Sequence, residues 1–169
     1  MALIDVGKNS TIINLIQSGE FLFAGHLVLG GSSVTEDIAS SLELDDFEAE
    51  AMKIGKPIGD EHGGFKQAMK IASTKLANEV AKQLEILWGA SESERPIEQI
   101  YLSGGASKTQ GFVEQLGKTT GLPCVVMNPL SGVSISSDFS SEYLEEINSN
   151  FTLAIGAGLR RIADKPEVG

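Results

Sequence analysis

Two strand-like segments, Ala2 to Val6 and Ile97 to Leu102, run into glycine turns, the first directly at Gly7 and the second through Ser103 at Gly104-Gly105. A strand that ends on glycine lets main chain come up against a neighbour with no Cβ in the way. Two adjacent glycines also weaken the end of a buried strand, so Ser103-Gly104-Gly105 points to something flat packed against it. The two turns lie about a hundred residues apart, with Gly30-Gly31 between them. That order implies one cleft assembled from distant parts of the chain and lined by backbone able to approach a phosphate or a purine ring.

The remaining patterning predicts the elements that would carry such a cleft. Strands are expected over Ala2 to Val6, Thr11 to Gln17 and Phe21 to Leu29, joined through Asn9-Ser10 and Ser18-Gly19 as an antiparallel meander. Ser33-Val34-Thr35-Glu36 has the form of a capping box opening a short helix, with Val34, Ile38 and Leu42 on one face. A second helix is expected from Asp45 or Asp46 to Gly55, then a loop over residues 56–64. Phe65, Met69, Ala72, Leu76, Val80, Leu84 and Leu87 recur at spacings of three and four, which predicts a long amphipathic helix closed by Gly89, with Phe65 and Trp88 in the core. Beyond it come a strand from Ile97 to Leu102, a helix opened by a capping box at Ser107 and closed by Gly121, and a strand from Pro123 to Met127. A polar loop over residues 131–141, a turn or two of helix from Glu142 to Ile147 and a last helix from Phe151 to Ile162 complete the chain. This is an α/β plan with parallel crossovers after the meander.

Composition excludes several functions. At 169 residues the chain suits one domain, and its 13 basic against 23 acidic residues give a net charge of −10, which disfavours nucleic acid and anionic lipid as partners. Arg160-Arg161 reads as solvated charge near a helix end. The single Cys124 forms no internal disulfide and reads as a small buried hydrophobe, while His26 and His62 lack metal-ligand spacing. No apolar run reaches the roughly 20 residues of a membrane span and no signal segment opens the chain, so the cytoplasm is the default compartment. Ser103 lies in no Gly-x-Ser-x-Gly elbow, which removes acyl chemistry of that kind.

Each candidate site residue has a functional and an ordinary reading. Asp5, at the end of a strand, suits a Mg²⁺ held through water, or simply a turn. Gly7 and Ser10 offer amides and a hydroxyl to a phosphate, or make a hairpin turn. Gly30 and Gly31 set a helix N-terminus near the cleft, or connect strand to helix. Glu50 and Lys53, three apart on a helix, reach a ribose and a base or pair with each other.

The ordered set Asp5-Val6-Gly7, Gly30-Gly31 and Leu102-Ser103-Gly104-Gly105 resembles the second half of the actin-like ATPase superfamily, which implies a ribonuclease H-like α/β fold with a mixed sheet, flanking helices and a small helical insertion. Gly30 to Ile38 followed by Ala49 to Lys53 looks like a segment shared by the division protein FtsA and the type IV pilus assembly protein PilM. Gly121-Leu122-Pro123, Asn128-Pro129-Leu130 and Ala154 to Arg160 look more like the PilM family. The resemblance implies ATP with Mg²⁺ as ligand, with Asp5, Gly7 and Ser10 facing the phosphates and Gly30 and Gly31 flanking them. Glu50 and Lys53 would sit near ribose and adenine, and Gly104, Gly105 and Ser107 would bound the nucleoside. It further implies residues 1–169 as a second domain, with 43–64 in an inserted subdomain and no counterpart of the first domain before Met1. The implied function is a scaffold on the cytoplasmic side of the inner membrane that grips the PilN cytoplasmic tail through the full-length parent and is at most a weak ATPase. The alternatives are an FtsA-like division protein, a fragment of a sugar or acetate kinase, and an interaction module without a ligand. On this reading, Leu in place of Gly104 is expected to abolish nucleotide binding and leave folding largely intact.

Overall fold

Alternation along the first strands sets the sheet. In β1 (Ala2–Val6), Ala2, Ile4 and Val6 are buried, and in β2 (Thr11–Gln17) Thr11, Ile13 and Leu15 are, so one face of the hairpin is committed to the core. The computed structural model describes residues 1–55, 64–91, 93 and 95–159. Within them β3 (Glu20–Leu27), β4 (Ile100–Ser103) and β5 (Cys124–Val126) complete a five-stranded sheet in the order β3-β2-β1-β4-β5. The β1–β2 and β2–β3 pairs are antiparallel, as the meander predicts, and β1–β4 and β4–β5 are parallel. Asp5 lies opposite Ser103 in the β1–β4 register, which sets the two glycine-ended strands side by side with their turns at the same edge.

Helices cover the apolar face. Between β3 and β4 run α1 (Gly31–Leu42), α2 (Asp46–Lys53) and the 26-residue α3 (Phe65–Ala90). The periodic stripe of α3 is its buried face: Met69, Ala72, Leu76, Val80, Leu84 and Leu87 are all in the core, with Phe65 and Trp88 packed against it. That face meets α1, α4 (Phe112–Thr120) and the strands β2 and β3. Asp45 caps α2 by accepting from the Glu48 amide while the Glu48 side chain accepts from the Asp45 amide, and Ala49 carries α2 into the core. After β5, α5 (Ser141–Ile147) and α6 (Thr152–Gly158) follow a segment, residues 131–140, that is exposed throughout.

Several boundaries differ from those predicted. Helix α1 begins two residues before Ser33, whose hydroxyl donates to Gly30 O at 2.8 Å instead of capping the N-terminus. Ser107 opens no α-helix: it sits in a short 3-10 helix (Gly105–Lys108), and α4 starts at Phe112 after Gly111 in the left-handed region, φ 79°. Helix α3 continues through Gly89 for one residue. The strand predicted from Ile97 begins at Ile100, although Ile97 is buried. Cys124 is half-buried and its thiol is pushed up by desolvation. Residues 56–63 of the predicted loop, with His62, and Arg160 to Ile162 of the predicted last helix lie outside the described residues.

Phe112 is among the largest fully buried side chains and joins α4 to the core. Phe112→Ala should lower the unfolding free energy by roughly 3–5 kcal/mol, read from the urea midpoint at unchanged m.

Candidate functional site

The shared edge of β1 and β4 is crowded by main chain. Gly104 has φ 83°, in the region that favours glycine, and a Cβ there would lie 2.7 Å from Val6 C and closer still to Val6 O. A Cβ on Gly30 would likewise lie 2.7 Å from Lys8 O, because the start of α1 rests on the β1–β2 turn. The Gly31 amide donates to Gly7 O at 3.0 Å and the Ser32 amide to Lys8 O at 2.7 Å. The first amides of α1 are therefore engaged by protein carbonyls, and what Gly31 presents outward is a bare Cα.

In front of this junction lies a cavity of about 530 Å³ that takes its walls from five separate parts of the chain. Lys8 comes from the first turn, Gly31 from α1, Glu50, Lys53 and Ile54 from α2 and its end, and Gly105, Ala106, Lys108 and Thr109 from the turn after β4. Ile147 and Asn150 close the far side. A Cβ on Gly31 would lie 3.0 Å from Ala106 Cβ, and one on Gly105 would lie 3.1 Å from Asn150 Oδ1.

The sequence-derived residues divide into two groups. Gly31, Glu50, Lys53 and Gly105 line the cavity, whereas Asp5, Gly7, Ser10, Gly30 and Gly104 build the support behind it. Asp5 accepts from Ser103 Oγ at 2.7 Å, and Ser10 O accepts from the Gly7 amide at 2.9 Å. Ser107 is fully buried with its hydroxyl donating to Gly104 O at 2.7 Å, so Ala106 and Thr109 replace it as lining residues. Lys8 and Lys108 were not among the expected site residues, although their place beside the glycine turns is a signal that could have found them. Ile147 and Asn150 carry no local signal, since only the tertiary fold returns them to β4, where Ser149 O accepts from the Gly104 amide at 3.0 Å.

The expected Glu50–Lys53 pair is present at 2.6 Å, with the lysine side chain only 10% exposed. Lys53 Nζ also donates to Gly31 O at 2.9 Å and to Thr35 Oγ1 at 2.8 Å, and Thr35 donates to Glu50 Oε2. Partial burial works to raise the Glu50 carboxyl, but the hydrogen bonds from Lys53 and Thr35 and the Lys53 and Lys8 charges outweigh it and hold the group below its ordinary value. Among the described residues no group of three or more His, Cys, Asp and Glu is arranged to hold a metal, and no helix is long and apolar enough to cross a membrane.

Because the folded value for Glu50 is depressed, its contribution to stability is present above the ordinary carboxylate value of 4.5 and is lost as pH falls through the lower, folded value. Glu50→Gln should lower the thermal midpoint at neutral pH and flatten its fall below about pH 4.5, where the wild-type carboxylate loses its contribution, as checked by thermal midpoints from pH 3 to 7. Gly104→Ala should cost roughly 1–3 kcal/mol from its backbone conformation alone, before the clash with Val6, whereas Gly105→Ala should fold normally. The expectation that Gly104 tolerates a bulky side chain without loss of folding is thus overturned by its contact with β1.

The profile of the family described as type IV pilus assembly protein PilM matches residues 1–162. A solved PilM-PilN type IV pilus biogenesis complex aligns at a TM-score of 0.77 and 31% identity over 94% of this chain and 45% of that one. Cell division protein FtsA of Bacillus subtilis (strain 168) is 32% identical over 124 residues, 66% of this chain and 28% of that protein. The ethanolamine utilization protein EutJ from Carboxydothermus hydrogenoformans shares the fold at a TM-score of 0.57 and 20% identity, over 74% of this chain and 43% of that one. The chain thus spans less than half the length of each of these relatives.

Proposed function

The chain belongs to the type IV pilus assembly protein PilM family, as its second actin-like domain, and from that premise we propose that it forms one wall of an ATP site in a pilus-assembly scaffold. The observation that carries the reading is the cavity itself, where glycine main chain from α1 and from the turn after β4 meets three lysines and one carboxylate. Its volume of about 530 Å³ lies within the range of small-molecule sites. A nucleotide suits that lining. Lys8 and Lys108 supply cations for phosphates in a chain whose net charge is −10, Glu50 accepts from a hydroxyl or amine, and the bare Cα atoms of Gly31 and Gly105 admit a flat ring.

Asp5, which stands behind the cavity wall at the end of β1 and accepts from Ser103 at the end of β4, would reach a Mg²⁺ only through intervening water. When bound, ATP would supply charge and contacts that favour closure of the site, and this chain's residues would orient it and keep its phosphates neutralised. The proposed partner is the PilN cytoplasmic tail, reached through the full-length parent, and the proposed location is the cytoplasmic face of the inner membrane. Residues 43–64 are proposed as part of an inserted subdomain around α2. Turnover on this reading is weak ATPase activity at most, because the role is control of assembly.

Gly105→Leu fills the cavity from a backbone position that any residue can adopt, so it separates binding from folding. In the full-length gene product it should weaken ATP–Mg²⁺ binding by at least about tenfold in isothermal titration calorimetry, with the thermal midpoint retained. Wild-type affinity in a folded Gly105→Leu variant would refute the proposed site.

A further inference from the structure

The Lys53 ammonium has three protons and three acceptors within hydrogen-bond distance, Gly31 O at 2.9 Å, Thr35 Oγ1 at 2.8 Å and Glu50 Oε2 at 2.6 Å. Nothing is left over for a ligand. Thr35 is 6% exposed on the first turns of α1 and touches both members of the pair: its oxygen accepts from Lys53, and its proton goes to Glu50 Oε2, with Gly31 O 3.2 Å away as the alternative acceptor. Both protein contacts of the Glu50 carboxylate therefore fall on Oε2. Its other oxygen has no partner among the described residues, on a side chain 43% exposed at the cavity wall.

The geometry points to Thr35 and Lys53 as positioning residues that fix the Glu50 rotamer from behind, so that Glu50 alone of the three meets the nucleotide, through Oε1 accepting a ligand hydroxyl or amine. This rests on the nucleotide reading of the cavity and divides the labour within it. Lys53 joins α2 to the first turn of α1, and its charge reaches the ligand only through the carboxylate that it holds ionised. An ionised carboxylate accepts and never donates, so this wall selects a donor group and repels phosphate, which is directed to Lys8 and Lys108. Thr35 lies on a different helix from Glu50 and Lys53, so the unit also ties the α2 wall to the start of α1.

The test compares Thr35→Val, Thr35→Ser, Glu50→Gln and the Thr35→Val/Glu50→Gln double variant in the full-length gene product, by titration calorimetry with ATP and Mg²⁺. Thr35→Val should weaken binding by about tenfold, Thr35→Ser should restore it, and Thr35→Val should add nothing in the Glu50→Gln background, since Thr35 acts through that carboxylate. In the ligand-free protein, carboxyl ¹³C NMR should show the Glu50 pKa moving up in Thr35→Val and back in Thr35→Ser, a response that a packing role for Thr35 would not produce. Unchanged ATP affinity in Thr35→Val, an additive double variant, or an unmoved Glu50 titration would each overturn the inference while leaving the nucleotide site standing. If the unsubstituted protein binds no ATP, the nucleotide reading falls and takes the inference with it.

Discussion

The contact between Gly104 and the backbone of Val6 is the constraint around which the site is arranged. Two parallel strands separated in the chain by two strands and three helices end at the same level, and the chain turns so tightly after the second that Gly104 lies on the main chain of the first. A side chain there would push β4 away from β1 and break the register that sets Asp5 opposite Ser103. A second backbone contact of the same kind brings α1 onto the β1–β2 turn through Gly30, with Gly31 and Ser32 donating to the carbonyls of Gly7 and Lys8. These two junctions fix three distant segments relative to one another before any side chain is considered. The cavity lies in front of them because no Cβ fills the space.

The electrostatics follow from the same convergence. In a chain with 23 acidic residues, Lys8, Lys53 and Lys108 come together at one cavity, each delivered by a different segment of the chain. Two of them stand beside glycine turns and the third is drawn back into the wall by Gly31, Thr35 and Glu50. A buried ammonium with every proton engaged is a structural fastener, and its removal would leave the Gly31 carbonyl and the Glu50 carboxylate short of partners. The lysine drawn furthest into the protein is therefore the one least suited to meet a phosphate.

The first two strands and the α3 stripe were legible because each depends on a short-range period: alternation buries Ala2, Ile4 and Val6, and spacings of three and four bury Met69, Ala72 and Leu76, whereas the placing of β4 beside β1 is set by long-range pairing. The start of α2 was legible to within one residue, at Asp45 or Asp46, because what fixes it, the reciprocal capping of Asp45 and Glu48, is local. Ser33 and Ser107 show the same four-residue pattern and do not cap, since in each case tertiary contact decides where the helix begins. At α1 the β1–β2 turn takes the first amides, and after β4 the Gly104 carbonyl takes the Ser107 hydroxyl. The glycine framework of the site was legible for its chemistry, but Ile147 and Asn150 were not, because they reach the cavity only through the path of the chain after β5. Gly104 was read as a ligand contact when its absent side chain is required first by β1.

One wall of a cleft has a thermodynamic consequence. A ligand seated on it keeps its opposite face in water, and losing contacts worth about 4 kcal/mol is enough to turn a micromolar site into a millimolar one. If a second wall closes over the ligand, those same contacts appear as a preference for the closed arrangement, and a nucleotide can shift the affinity for a protein partner only by that difference. Tight binding to this wall alone would leave little difference to exploit. A wall that offers the ligand Lys8, a second lysine, Lys108, that also donates to Glu145 O, one oriented carboxylate and two bare glycines leaves the larger share to closure, which suits the proposed control of assembly better than rapid turnover.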